Sequence, residues 1–274
     1  MRSRVLTGVR GAKEEKLFGT IVYMTSVGVD LERDREWNEF YDEWVEVFTN
    51  QVPGTHRGSR WRVLHGLVGA NERVPQPERP MYLAFEEYGR VDEFILSRSW
   101  RQRKNWEPRV RSFDPWLRHL HDYATLNLER IGGSRGVAAD TKPPSWLLCR
   151  IWTIEPDSLE EFERWKTSEV EPLIAEKLRV ASWDRYVALL AQLHRYGGPS
   201  GELVIPQRHH IEDGGRLCYV DLYGLSRAPT QESDLLAVIS TATDTTWGGV
   251  VSDMQDVVAE RLLSIERGEE AVRS

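Results

Sequence analysis

From Arg35 to Phe48 the apolar positions Trp37, Phe40, Tyr41, Trp44, Val45 and Phe48 recur at spacings of three and four. That period puts them on one stripe and predicts an amphipathic helix. Asp30 to Asp34 supply capping side chains ahead of it, and Pro53-Gly54 ends it. Upstream, Thr20 to Val27 is rich in β-branched and aromatic residues and reads as a strand. Downstream, Thr55 to Val68 alternates, with Trp61, Val63 and His65 on one face and Arg60, Arg62 and Leu64 on the other. A third strand is predicted over Met81 to Gly89, a second helix near Val91 to Trp106, and a fourth strand over His121 to Ile131.

The pattern then returns. Setting Phe40 on Trp165, an offset of 125, lays Trp37 on Phe162, Val45 on Val170, Glu46 on Glu171 and Arg60-Trp61 on Arg185-Tyr186. The second run reads as strand Ser145 to Ile154, helix Leu159 to Leu178, strands Ala181 to Leu193 and Arg216 to Gly224, a helix near Gln231 to Ser240 and a strand near Val257 to Arg267. Tyr88-Gly89 falls on Tyr223-Gly224 at an offset of 135, which places an insertion within Gly197 to Gly215. Both runs have the order β-α-β-β-α-β of the ferredoxin-like unit. An α+β fold of two tandem ferredoxin-like repeats is therefore expected. Its parts are an N-terminal tail (1–18), a first repeat (19–131), a linker (132–144), a second repeat (145–267) and a C-terminal tail (268–274).

Composition narrows the functional classes. With 40% hydrophobic and 29% charged residues and no long apolar run, the chain reads as a soluble globular protein with no membrane partner. A net charge of −7 argues against nucleic acid as the main partner. Cys149 and Cys218 lie in apolar strand-like runs, so buried reduced thiols are expected in place of a disulfide or thiolate cluster. The first residues lack the apolar stretch of a secretory signal, which predicts a mobile tail on a cytoplasmic protein.

Phe40-Tyr41-Asp42, Val52-Pro53-Gly54, Ser59-Arg60-Trp61 and Tyr82-Leu83-Ala84-Phe85-Glu86 together resemble the dimeric α/β-barrel superfamily, and within it the small EthD-like proteins. The resemblance implies two sheets, from a tandem repeat or from two subunits of a homodimer, closed as an α/β barrel, here intramolecular. It also implies a small aromatic or polyketide-like substrate in the cavity, and cyclisation, isomerisation, dehydration or cofactor-free oxygenation. The family's helix histidine would fall near Trp44-Val45 and Glu169-Val170, where no histidine stands.

Four constellations could carry chemistry. Tyr41, Asp42, His65 and Glu86 combine a histidine with carboxylates, as proton transfer on a carbonyl compound requires, against the reading of solvated charges and a hydrogen-bonded strand histidine. Tyr23, Trp61 and Trp152 would line a cavity beside them. Arg150, Asp184 and Tyr186 are the second group: an arginine inside an apolar run must be paired or face a polar cavity, where it could hold a substrate carboxylate or enolate. His209, His210, Glu212 and Asp213 sit in the insertion, but adjacent histidines point oppositely in an extended chain, so no metal site is expected. Trp100, Trp106 and Trp116, interleaved with Arg101, Arg103, Lys104, Arg109, Arg111 and Arg118, read as packing with a solvated basic face. Dinucleotide, Walker, zinc-protease and hydrolase-elbow motifs are absent. No cofactor is therefore expected, although His56, His65, His119 and His121 would be available to haem. The expectation is a cofactor-independent cyclase, isomerase or lyase, with a cofactor-free monooxygenase or a non-catalytic binding or assembly protein as alternatives.

Overall fold

The structure, a computed structural model, describes residues 20–68, 72–75, 78–90, 92–94, 96–97, 114–133, 144–188, 217–228 and 251–267. Strand β1 (Ile21–Val29) leads into helix α1 (Asp34–Gln51), followed by β2 (Thr55–Val68), β3 (Glu72–Val74), β4 (Met81–Tyr88) and β5 (Leu120–Gly133). Then come β6 (Trp146–Ile154), α2 (Leu159–Trp165), a π-helical turn (Lys166–Val170), α3 (Glu171–Leu178), β7 (Val180–Ala188), β8 (Leu217–Leu225) and β9 (Val251–Glu266). The strands join in the order β3-β2-β4-β1-β5-β7-β8-β6-β9, and β2 also pairs with β9. That last pairing closes eight strands into a barrel with β3 beside β2, and the described pairings are all antiparallel.

This corrects the expected fold class. In place of two tandem ferredoxin-like repeats forming an α/β barrel, the described residues make one mostly antiparallel eight-stranded β-barrel with few helices. The physical reason is strand length. Strands β2 and β5 have 14 residues each and β9 has 16. They outreach their own half, so β2 bonds β9 from Arg57–Glu266 to Val68–Gln255, and β5 bonds β7. Backbone groups that would form open sheet edges are satisfied in these two seams. The helices expected near 91–106 and 231–240 fall largely outside the described residues, of which 92–94 and 96–97 are helical.

Alternation along each strand sorts the side chains into an interior and an outer layer. The interior takes residues from all eight barrel strands, among them Met24, Trp61, Phe85, Leu128, Leu147, Tyr186, Val220 and Val257. On the outer face α1 covers β1 and β4 through Trp37, Tyr41 and Val45, and α2–α3 cover β6 and β8 through Phe162, Trp165, Val170 and Ile174. Helix α1 sits so close to β2 that a Cβ on Gly58 would lie 2.3 Å from Thr49 Oγ1 and 2.8 Å from Val45 Cγ1. Cys149 and Cys218 are buried and not joined in a disulfide.

Candidate functional site

On β6, Leu147 and Cys149 point into the barrel, so Leu148, Arg150 and Trp152 face α2–α3. Arg150 is fully buried and meets Asp256 of β9 in a fork, with Nε 2.5 Å from Oδ1 and Nη2 2.5 Å from Oδ2. Its guanidinium lies 4.9 Å from the Trp152 ring centroid. The Trp152 indole N–H donates to Asp221 Oδ2 of β8 at 3.0 Å. Asp221 also accepts from Arg185 Nε at 3.0 Å and pairs closely with the Lys166 ammonium. Arg185 reaches on to Glu163 Oε2 at 2.6 Å and Glu171 Oε1 at 2.8 Å.

The helix geometry explains why Lys166 arrives there. In a continuous α-helix, residues eight apart are about 80° out of phase. The wider π turn takes up that difference. Glu163 and Glu171 consequently reach the same guanidinium, and Phe162 and Val170 stay in one buried layer. Lys166 opens the π turn and is driven into the layer with its amine on Asp221.

Burial lowers the Lys166 pKa below the ordinary lysine value despite the neighbouring Asp221, and Arg185 adds to the effect. Burial works to raise Asp221, but Lys166 and Arg185 together hold its pKa below the usual carboxylate value. At Asp256 burial outweighs Arg150, and the pKa rises. The Tyr223 hydroxyl is buried with no hydrogen-bond partner among the described residues, and burial followed by Asp221 pushes its pKa well up. A buried amine whose pKa is lowered, a hydroxyl ready to donate and two guanidiniums can exchange a proton with a bound molecule and stabilise the resulting anion.

The structure divides the residues singled out by sequence. Arg150 and Trp152 belong to this network. Asp184 and Tyr186 lie on the opposite face of β7: Tyr186 is in the barrel interior and Asp184 accepts from Arg130 Nε at 2.7 Å. Arg150, Asp184 and Tyr186 therefore do not form one group. Tyr41 packs under α1, stacked on Trp37 with ring centroids 4.9 Å apart, and Asp42 pairs with Arg60. Glu86 accepts from the Tyr88 hydroxyl at 3.1 Å, and Tyr23 stands beside it on β1. His65 is exposed on β2 beyond a bulge, whereas Glu86 is level with Gly58 of that strand. Seven residues of strand separate the two, about 23 Å. Trp61 points into the barrel and donates to Ser59 Oγ at 3.1 Å. His56 bonds Glu93, and His119 and His121 both bond Asp30. His209, His210, Glu212, Asp213 and most of the Trp/Arg segment lie outside the described residues, whereas Trp116 stacks on Phe40.

Sequence reasoning missed Lys166, Asp221, Asp256 and Tyr223, and gave Arg185 no chemical role. One signal was present: Arg60 aligns with Arg185, and each reaches a helix residue at the same offset, Arg60 to Asn38 and Arg185 to Glu163. At that offset Lys166 replaces Tyr41. Among the described residues no three His, Cys, Asp or Glu side chains are grouped to hold a metal, and no helix is long and apolar enough to cross a membrane.

No protein-family model and no curated protein matches the chain. Solved structures do. An anthrone oxidase-like protein aligns with a TM-score of 0.52 and 9% identity, over 94% of this chain and 98% of that one. A candidate monooxygenase from Fusobacterium nucleatum aligns with a TM-score of 0.48 and 9% identity, over 92% and 96%. The first likeness shows the fold alone.

Proposed function

We propose that the protein is an enzyme acting on a small aromatic or polyketide-like molecule, and that it works as a cofactor-free monooxygenase or oxidase. The observation that carries this reading is the buried Lys166–Asp221 pair at the π turn, beside a Tyr223 hydroxyl with no described partner. In its deprotonated form Lys166 takes a proton from an acidic C–H, Tyr223 donates to the oxygen on which charge collects, and Arg150 and Arg185 stabilise the anion. The delocalised anion then reacts with dioxygen. With anthrone, one O₂ converts the CH₂ carbon to a carbonyl and releases one water. The anthrone oxidase-like neighbour favours this chemistry over cyclisation, isomerisation or lysis. The matching reach of Arg60 and Arg185 also supports a duplicated origin of the two halves.

The test is oxygen uptake on adding anthrone to the protein with chelator present and no flavin, nicotinamide or haem supplied. Uptake of one O₂ per anthrone, lost in Lys166→Met, is expected. Unchanged uptake in Lys166→Met would remove the proposed base, and no uptake above the buffer rate would remove the oxygenase reading. Anaerobic turnover of a carbonyl substrate would instead favour a cyclase, isomerase or lyase.

A further inference from the structure

A second buried polar surface lies on the other half of the barrel, outside the Lys166 network. On β5, Leu126 and Leu128 point into the barrel, so Thr125 and Asn127 face outward. Asn127 pairs in register with Tyr23 of β1, which pairs with Glu86 of β4. Side chains directly opposite in adjacent strands share a face. Asn127, Tyr23 and Glu86 therefore stand in one row across three strands, with Thr125 one step along β5. Thr125 is 1% exposed and Asn127 5% exposed. Neither Thr125 Oγ1 nor Asn127 Oδ1 finds a hydrogen-bond partner among the described residues. A buried polar atom left unpaired costs about 1–3 kcal/mol, and two neighbours on one face point to something that satisfies both.

The border identifies the kind of molecule. Ile21, Tyr88 and Phe94 form a buried apolar cluster against which Tyr23 packs, and the Tyr88 and Phe94 rings meet edge to face at 5.3 Å. The Tyr88 hydroxyl is engaged by Glu86 and Ser97. This buried face thus sets an amide oxygen and a hydroxyl, about 6.8 Å apart along the strand, beside an aromatic wall. We infer that this face binds a small hydroxylated aromatic molecule, whose hydroxyls at opposite ends of the ring donate to Asn127 Oδ1 and Thr125 Oγ1. This site does not depend on Lys166.

The probe is 4-hydroxybenzyl alcohol, with 4-methylanisole as a partner of similar shape that has no donor. Each is titrated into the full chain and followed through the backbone amide signals of β5. The diol should shift the signals of Thr125 and Asn127, and 4-methylanisole should bind at least about fivefold more weakly, the worth of one neutral hydrogen bond. Asn127→Leu and Thr125→Val should each weaken the diol by a similar factor, and Lys166→Met should leave it unchanged. Equal binding of the two probes, diol binding unaffected by both β5 variants, or no shift at millimolar diol would each overturn the site. The comparison of the two probes on the unaltered protein stands even if a variant does not fold.

Discussion

Arg150 and Asp256 are both fully buried and paired, so each charge leans on the other. Arg150→Met strands a carboxylate inside the outer layer and should cost about 3–5 kcal/mol in urea unfolding. Adding Asp256→Leu should return most of that loss, because two apolar side chains replace a pair whose attraction roughly offsets its desolvation. A double variant as unstable as Arg150→Met would mean that Arg150 acts through something other than Asp256. Asp221 gives a pH signature. Its folded-state pKa lies below the unfolded value, so its stabilisation is complete above an unfolded pKa of about 3.9 and fades as pH falls through the folded value. Asp221→Asn should therefore flatten the loss of stability on acidification, measured as unfolding free energy between neutral pH and acid. An unchanged acid slope would show that other carboxylates set it.

At the scale of single elements, the close seat of α1 on β2 makes a direct prediction. Gly58→Val places branched carbons where Thr49 and Val45 already stand, and α1 must lift. A loss of about 1–3 kcal/mol is expected, with weaker hydrogen-exchange protection in α1 than in β6–β8. Uniform loss of protection would indicate that α1 is not seated separately. Local elements were the legible part of this chain. Alternation located β2 at Thr55–Val68, and the three-four period located α1. The site was legible only where a single residue broke its own pattern, as Arg150 does inside LLCRIW. Lys166 broke no pattern: a lysine in a helix normally reads as solvated, and nothing local in KTSEV announced the π turn that buries it. Its partner Asp221, and Arg185, which shares that carboxylate, come from strands 55 and 19 positions further on. Asp184 and Tyr186 misled because neighbours in a strand alternate faces, so Arg185 between them belongs to the helix layer and they do not.

Closure is a property of the whole molecule, and patterns read within each half gave two ferredoxin-like repeats of an α/β barrel in place of the single antiparallel barrel. Strand periodicity shows which face of a strand is apolar, but not which other strand its edge will meet. Here β2 meets β9 and β5 meets β7, and the interior draws on all eight strands at once. Val258 sits in the β2–β9 seam opposite His65 and also faces Leu148 of β6, so its backbone joins the two halves. Val258→Pro removes an amide donor and forces a fixed φ in a central strand. If the barrel is one cooperative body, this change should lower the protection of β1 and β4 in the first half as much as that of β6 and β8 in the second, as read by native-state hydrogen exchange. Its urea transition should move to lower midpoint and stay single, with no change in slope. Loss confined to β6, β8 and β9, or a second transition, would show that the halves fold as separate units held only by the seams. The distinction bears on function too, because a cooperative barrel would let a ligand at Asn127 stabilise the Lys166 layer on the far side, whereas independent halves would not.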